Sequence, residues 1–429
     1  MNWLFIHQNF PGQFVHAARH LAAAGDRVVF ITQQHERQVE GVRKIVYVPA
    51  QPPAGIHPFV TDFNTAVENG LAVARVCDDL KREGFTPDLV AGHNGWGELL
   101  YIKDVWPSAP LLGYFEFFYR AYDSDLDFDP EFPPSPTDRM RIRTRNAVNL
   151  LGLETADWGQ TPTEFQRNLY PEKYRRAISV IHEGIDTTLI RPEPSTRLWL
   201  AGGLSLSRND VVITYSSRNL EPYRGFHVMM RTLPALLERH PTAWVLIAGG
   251  NDVSYGRRPT QAKTWREQLT AELGDRLDLG RVRFLGRLSY PQYLALLQIS
   301  SVHVYLTYPF VLSWSMLEAM ATGCPIVASR TPPVEEVIHD GQNGYLVDFF
   351  DRVALADRVG DILSRPDRHE AMRAAARGTV MERYDLARVC LPAYLALLRR
   401  LTHRQPQNRS SRSGQGVIEQ NSRAISRGV

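Results

Sequence analysis

Cysteine is scarce in this chain: of 429 residues only Cys77, Cys324 and Cys390 carry a thiol, spaced neither as a disulfide framework nor as a metal site. Long apolar runs are missing as well. None reaches the roughly 18 to 20 residues that span a bilayer, and the opening MNWLFIHQNFPG lacks a basic leader and a small-residue cleavage site, so the cytoplasm is the expected compartment. Charge of one sign is also lacking, since 49 Lys and Arg against 46 Asp and Glu leave a net +3. Part of that excess sits in residues 403–429, a segment rich in Arg, Ser, Gln and Gly that reads as a disordered basic tail. Its sparse charges, without interleaved aromatics, argue against nucleic acid as a partner. Finally, the first loop, NFPGQF, has no glycine fingerprint and no P-loop occurs anywhere, which disfavours a nicotinamide-dependent oxidoreductase and a P-loop nucleotidase.

What is present is alternation of apolar strands and helices, twice over. Residues 3–7 and 27–32 read as strands around a helix at 14–24, followed by a helix at 64–82, a strand at 89–92, a helix after Gly97 and a strand at 111–115. The pattern restarts at Asp210 with strands at 211–216, 243–248, 282–285 and 302–306 and helices at 227–239 and 290–299. Near-continuous apolar strands of this kind predict α/β architecture with parallel sheets covered on both faces. The expected division is a first Rossmann-like domain over 1–190, a second over 191–385, a helix over 386–402 crossing back to the first domain, and the tail. Within the linker, Leu198 to Gly202 is expected to be helical.

The segment 305–336, YLTYPFVLSWSMLEAMATGCPIVASRTPPVEE, joins a strand, a turn, a helix opening at Ser313 or Ser315 and a second strand after Gly323. The N–H groups of such a helix start, contributed around Ser313, Ser315, Met316 and Leu317, suit a diphosphate, and Glu318 one turn in can reach ribose hydroxyls. The competing reading is plain helix propensity with Glu318 set against the macrodipole. In VVITYSSRNLEPYRGFHVMM, Arg218 and Arg224 stand at the carboxyl end of a parallel strand, where open sheets bind ligands. They suit phosphate, unless they merely pair with Glu221. In VRFLGR, Gly286 lets a backbone approach a planar base, with Arg287 beside it.

In the first half, Asn9, Pro11 and Gly12 occupy the loop after the first strand, facing a cleft if the sheet is parallel. His93 and Glu116 each follow a strand. His93 either orients a hydroxyl or caps the next helix; Glu116 can accept a proton or stabilise positive charge. Asp123, Asp125, Asp127 and Asp129 alternate, but the calcium-loop pattern fails at Phe128 and Pro134, so a solvated loop without metal is expected. Arg139, Arg141, Arg143 and Arg145 follow a capping box begun by Ser135 and closed by Asp138. That helix suits a salt-bridged exposed face or, alternatively, peripheral contact with an anionic membrane.

Together SRNLEPYRGF, VRFLGR, LEAMATGCPIVAS with Glu335, and ISVIHEGIDTTLIRP at 178–192 resemble glycosyltransferase family 4, and the resemblance covers the chain to about Leu401. It implies the GT-B fold, two facing Rossmann-like doubly wound parallel-sheet domains. It further implies a retaining transferase that moves a sugar from a nucleoside diphosphate sugar to a saccharide or lipid-linked acceptor, as in bacterial surface polysaccharide synthesis, with no cofactor and no required metal. By resemblance Arg218 and Arg224 hold the diphosphate, and Glu116 stands where many members carry a histidine facing the reacting centre. The sequence departs from the family at two places: Phe310 replaces the first of its paired glutamates, and Ser313 replaces a glycine. A sugar-nucleotide epimerase or hydrolase and a non-catalytic glycan-binding subunit are the alternatives.

Overall fold

The computed structural model describes residues 1–51 and 54–403; apart from His403, the expected tail lies outside the described residues. Two parallel sheets form the frame. The first has seven strands, β1 (Asn2–Ile6), β2 (Arg27–Thr32), β3 (Val42–Val46), β4 (Leu89–His93), β5 (Leu111–Tyr114), β6 (Trp158–Thr161) and β7 (Ile178–Val180), in the order 3-2-1-4-5-6-7. β8 (Arg197–Trp199) and β9 (Ser205–Ser207) make a separate hairpin. The second sheet orders β10 (Val212–Asn219), β11 (Trp244–Gly250), β12 (Val282–Gly286), β13 (Val302–Tyr305), β14 (Ile326–Ser329) and β15 (Tyr345–Val347) as 12-11-10-13-14-15. Strand order therefore reverses between β1 and β4 in one sheet and between β10 and β13 in the other. Ligands bind at the carboxyl ends of strands at such switch points.

The strands form because their residues are apolar on both faces: in β4 and β13 every residue is buried. Helices cover each sheet, and the helix Leu391–Thr402, preceded by a wide π-turn at Leu386–Cys390, returns to the first lobe. There Leu395, Leu398 and Leu401 join Trp3, Phe5 and Phe14 in one apolar cluster. The crossing is stitched where Ile185 bridges Asp385, with Ile185 N–H bonded to Tyr384 O and Leu386 N–H to Ile185 O.

Two expectations are corrected. The stretch expected to be helical at 198–202 is instead the β8–β9 hairpin: Leu198 and Leu206 are buried and paired, while Gly202 and Gly203, both at φ +79°, turn the chain. The helix after Gly97 is confined to Ile102–Val105.

The alternating acids give the larger correction. Residues 117–138 are not a solvated loop but a strap laid from the first lobe across the second. Phe117 packs on Phe310, Phe128 on Tyr308 and Phe349, and Phe132 on Trp265 and His227. Asp125 accepts from Tyr223 Oη at 2.8 Å; Asp129 accepts from Tyr308 Oη at 2.5 Å and lies 3.0 Å from His227 Nε2. Glu131 takes a two-pronged contact from Arg231, and Asp138 takes Arg257. The hydrogen-bonding phenols come from the second lobe, roughly a hundred positions away or more. Nothing in the local pattern reveals them.

Candidate functional site

Between the lobes, at both switch points, lies a cavity of about 830 Å³. Its second-lobe wall carries Arg218, Arg224, Tyr255, Tyr305, Ser313 and Ser315; its first-lobe wall carries His7, Asn9, Pro11, Gly12, Tyr114 and Glu116. A side cavity of about 330 Å³ in the first lobe meets it at Trp96 and Glu116.

Arg224 is held from one end. It lies in the short turn Pro222–Arg224, nine per cent exposed, and Nη1 donates to Thr307 Oγ1 at 2.8 Å and Val311 O at 2.9 Å. The guanidinium carbon lies 5.5 Å from the ring of Tyr255, on the cavity wall, and 5.7 Å from the ring of Phe310. The pairing of Arg224 with Glu221 weighed on the sequence does not form. Glu221 is fully buried and accepts the backbone N–H groups of Ser254, Tyr255 and Gly256. Arg218, at the end of β10, is exposed toward the cavity.

The helix start at Trp314 is formed, with Ser313 as its N-cap. Its groups are partly spent on itself: Ser313 Oγ accepts Ser315 N–H at 3.4 Å, and Met316 N–H bonds to Ser313 O. Met316 and Leu317 are not on the cavity wall; their side chains are wholly buried in the second lobe's core. Glu318 is not among the residues on the cavity wall. It is buried, and its two oxygens accept from Tyr290 Oη at 2.8 Å and Tyr293 Oη at 2.9 Å. Burial raises its pKa against the opposing effect of the two phenols. Gly286 (φ +66°) and Arg287 also stay outside the cavity wall, Arg287 held by Asn219 and Asp252.

On the facing wall His93, the last residue of β4, is buried and stacks on Trp96 with centroids 3.9 Å apart. Its Nδ1 accepts Gly95 N–H at 3.0 Å, which leaves Nε2 as the protonated nitrogen, 3.4 Å from Glu116 Oε2. The Glu116 side chain is 31% exposed. Burial alone would raise its pKa; His93, Arg218 and Arg224 outweigh that and hold the carboxyl below its ordinary value. Asn9, Pro11 and Gly12 line the same wall, with Gly12 at φ +53° in a place where an added Cβ would fall 2.8 Å from the His7 ring.

Sequence reasoning missed His7, Gln13, Tyr114 and Glu183. His7 Nδ1 accepts Asn9 N–H and its Nε2 faces Gln13 Oε1 at 2.5 Å; burial and His93 hold its pKa far down. Glu183 joins the lobes, accepting from Tyr114 Oη at 2.5 Å and Trp314 Nε1 at 2.9 Å. His7 directly follows β1 at the switch point, a position that could have singled it out. Among the described residues Asp129, Glu131 and His227 offer ligand atoms within 4.8 Å of one another, yet Arg231 already holds Glu131 and Tyr308 holds Asp129. The arginines of the helix Pro136–Arg145 divide: Arg139 and Arg141 pair with Asp127 and Asp62, while Arg145 stacks on Tyr119.

Two doubly wound sheets facing each other across an arginine-lined cleft define the GT-B class. Solved structures agree on the fold: sucrose-phosphate synthase from Thermosynechococcus elongatus superposes with TM-score 0.67 at 20% identity, covering 94% of this chain and 99% of that one. Anabaena HepE in complex with UDP and glucose superposes with TM-score 0.65 at 17% identity, covering 93% and 100%. The profile of the glycosyl transferase family 4 group matches residues 24–190, and that of glycosyl transferases group 1 matches 205–379. The chain belongs to the family 4 glycosyltransferases.

Among curated relatives, a D-inositol 3-phosphate glycosyltransferase of Corynebacterium urealyticum is 30% identical over 47% of this chain and 46% of its own length. A GDP-mannose-dependent phosphatidylinositol monomannoside mannosyltransferase of Mycolicibacterium smegmatis is 26% identical over 56% and 62%. The matches thus span only about half to three fifths of those relatives.

Proposed function

We propose that this protein transfers a sugar from a nucleoside diphosphate sugar to a saccharide or lipid-linked acceptor, keeping the anomeric configuration, in the assembly of a bacterial surface glycan. The observation that carries the reading is Arg224, buried and tethered through Nη1 on the cavity wall that also carries Arg218, Ser313 and Ser315. With Arg218 it stabilises the charge that develops on the leaving diphosphate, electrostatic catalysis that requires no metal. Glu116, ionised on the opposite wall, stabilises positive charge at the anomeric carbon or accepts the acceptor's proton. The side cavity that opens at Glu116 takes the acceptor on the first lobe.

The activities named for the relatives, toward inositol 3-phosphate and a phosphatidylinositol mannoside, support a polyol or lipid-linked acceptor, and the UDP and glucose of the HepE complex support a nucleotide donor. A lipid-linked acceptor would bring the protein to a membrane peripherally, since no helix among the described residues is long and apolar enough to cross one.

The test is incubation with labelled UDP-, GDP- and ADP-sugars, with and without acceptor extract and chelator. Nucleotide released only with acceptor, insensitive to chelator, supports the proposal. Release or epimerised donor without acceptor would replace it by a hydrolase or epimerase, and NMR of the product's anomeric proton reads the stereochemistry.

A further inference from the structure

Tyr305 is the last residue of β13, at the second sheet's switch point. Its ring is buried at 3% exposure, yet it lines the cavity with Arg224, Ser313 and Ser315. The phenol oxygen receives two donors: Ser313 N–H at 2.9 Å and, as the longest of three contacts from Nη1, Arg224 at 3.5 Å. It thereby ties together the two elements that face an anion, the Arg224 turn and the helix start.

A phenol also has one proton to give. Among the described residues no hydrogen bond is donated by the phenol, which leaves its proton for a partner in the cavity that Tyr305 lines. A hydroxyl that accepts from a guanidinium is polarised toward stronger donation, because hydrogen bonds in series reinforce one another.

We propose that Tyr305 donates a hydrogen bond to the diphosphate of the bound donor, as a third contact beside Arg218 and Arg224. The inference rests on the function proposed above. During transfer the bond between the anomeric carbon and the bridging phosphate oxygen breaks, and its electron pair stays on that oxygen. Tyr305 keeps its proton and stabilises the new charge. Burial raises the phenol's pKa despite Arg224 and the Ser313 N–H, in keeping with a hydroxyl that stays protonated.

The experiment is titration of wild type and Tyr305→Phe with UDP, GDP and ADP, and with the matching nucleosides. The phenyl ring keeps the apolar packing of Tyr305. Loss of one charge-assisted hydrogen bond is expected to weaken diphosphate binding by about tenfold or more, leaving nucleoside binding within about twofold. Equal diphosphate affinity in the two proteins would overturn the proposal. To separate direct contact from support of Arg224, the substitution is repeated in Arg224→Ala. Direct donation predicts that most of the loss persists there, whereas disappearance of the loss would make Tyr305 only a prop for the arginine. A wild type that binds none of the diphosphates would instead refute the proposed function.

Discussion

Asp125 and Asp129, four residues apart in one strap, are predicted to respond to the same substitution with opposite sign. Asp125 is buried with Oδ1 unpartnered, and Tyr223 is its single phenol donor. Burial, only partly offset by that hydrogen bond, raises its pKa from the ordinary 3.8 to about 6. A folded-state pKa above the unfolded value means that the folded chain binds the proton more tightly. The stabilisation is therefore complete below about pH 4 and lost as pH rises through about 6. A shift of about two units corresponds to roughly 3 kcal/mol at neutral pH, as an upper figure. Asp125→Asn removes the charge and keeps an acceptor for Tyr223, so it should stabilise the protein at about pH 7.5 and lose that advantage toward about pH 4.

Asp129 has the opposite balance. Burial would raise its pKa, but hydrogen bonds from His227 and Tyr308 outweigh it and hold the carboxyl below its ordinary value. Tyr308 Oη and His227 Nε2 share Oδ2, so Asp129→Asn keeps an acceptor for both only by turning its NH2 toward the Glu131 N–H that Oδ1 accepts, and should cost about 1.5 to 3 kcal/mol. Urea unfolding midpoints of both variants at about pH 5 and about pH 7.5 read the contrast. An Asp125→Asn variant less stable than wild type at the higher pH, or a difference that does not change with pH, would refute the reasoning.

Arg224→Lys keeps the charge but cannot reproduce the fork that binds Thr307 and Val311 through Nη1, so turnover should fall by about tenfold to a hundredfold; near-normal turnover in steady-state assay would contradict it. Gly12→Ala must accept φ +53° and a Cβ 2.8 Å from the His7 ring, a strain on the order of 1 to 3 kcal/mol that should appear as a lowered melting temperature together with weaker ligand binding. His93→Ala removes the strongest of the groups that depress the Glu116 pKa, so the acid limb of the pH–rate profile should move to higher pH; an unmoved limb would separate Glu116 from the rate.

The frame was legible because its signals are local. The apolar runs of β10 and β13, the cap at Ser313 and the left-handed Gly323 each act within a few residues. Arg224 was legible as well, since a strand end followed by a turn places it at the switch point. Glu318 was legible as a helical residue but not in its surroundings, because the phenols that take its oxygens lie on the helix Tyr290–Gln298. The strap was misread for the same reason. Acids at alternate positions before a proline-rich loop look solvated, and only the arrival of Tyr223, Tyr308 and His227 from the other lobe makes their burial affordable. The glycine pair 202–203 was the available sign of a hairpin, but helix propensity in the neighbouring residues masked it.

The strap also bears on Phe310, one of the two residues at which the resemblance to the family breaks. Its ring lies 4.6 Å from Phe117 of the strap and 4.9 Å from Tyr255 on the cavity wall. An ionised carboxylate at 310 would be enclosed by Phe117, Tyr223 and Tyr255, and burying such a charge costs several kcal/mol unless it is paired. Docking of the strap and an aromatic residue at 310 therefore go together. The same contact reaches the anion site, because Tyr223, gripped by Asp125, and Arg224 are consecutive residues of one turn.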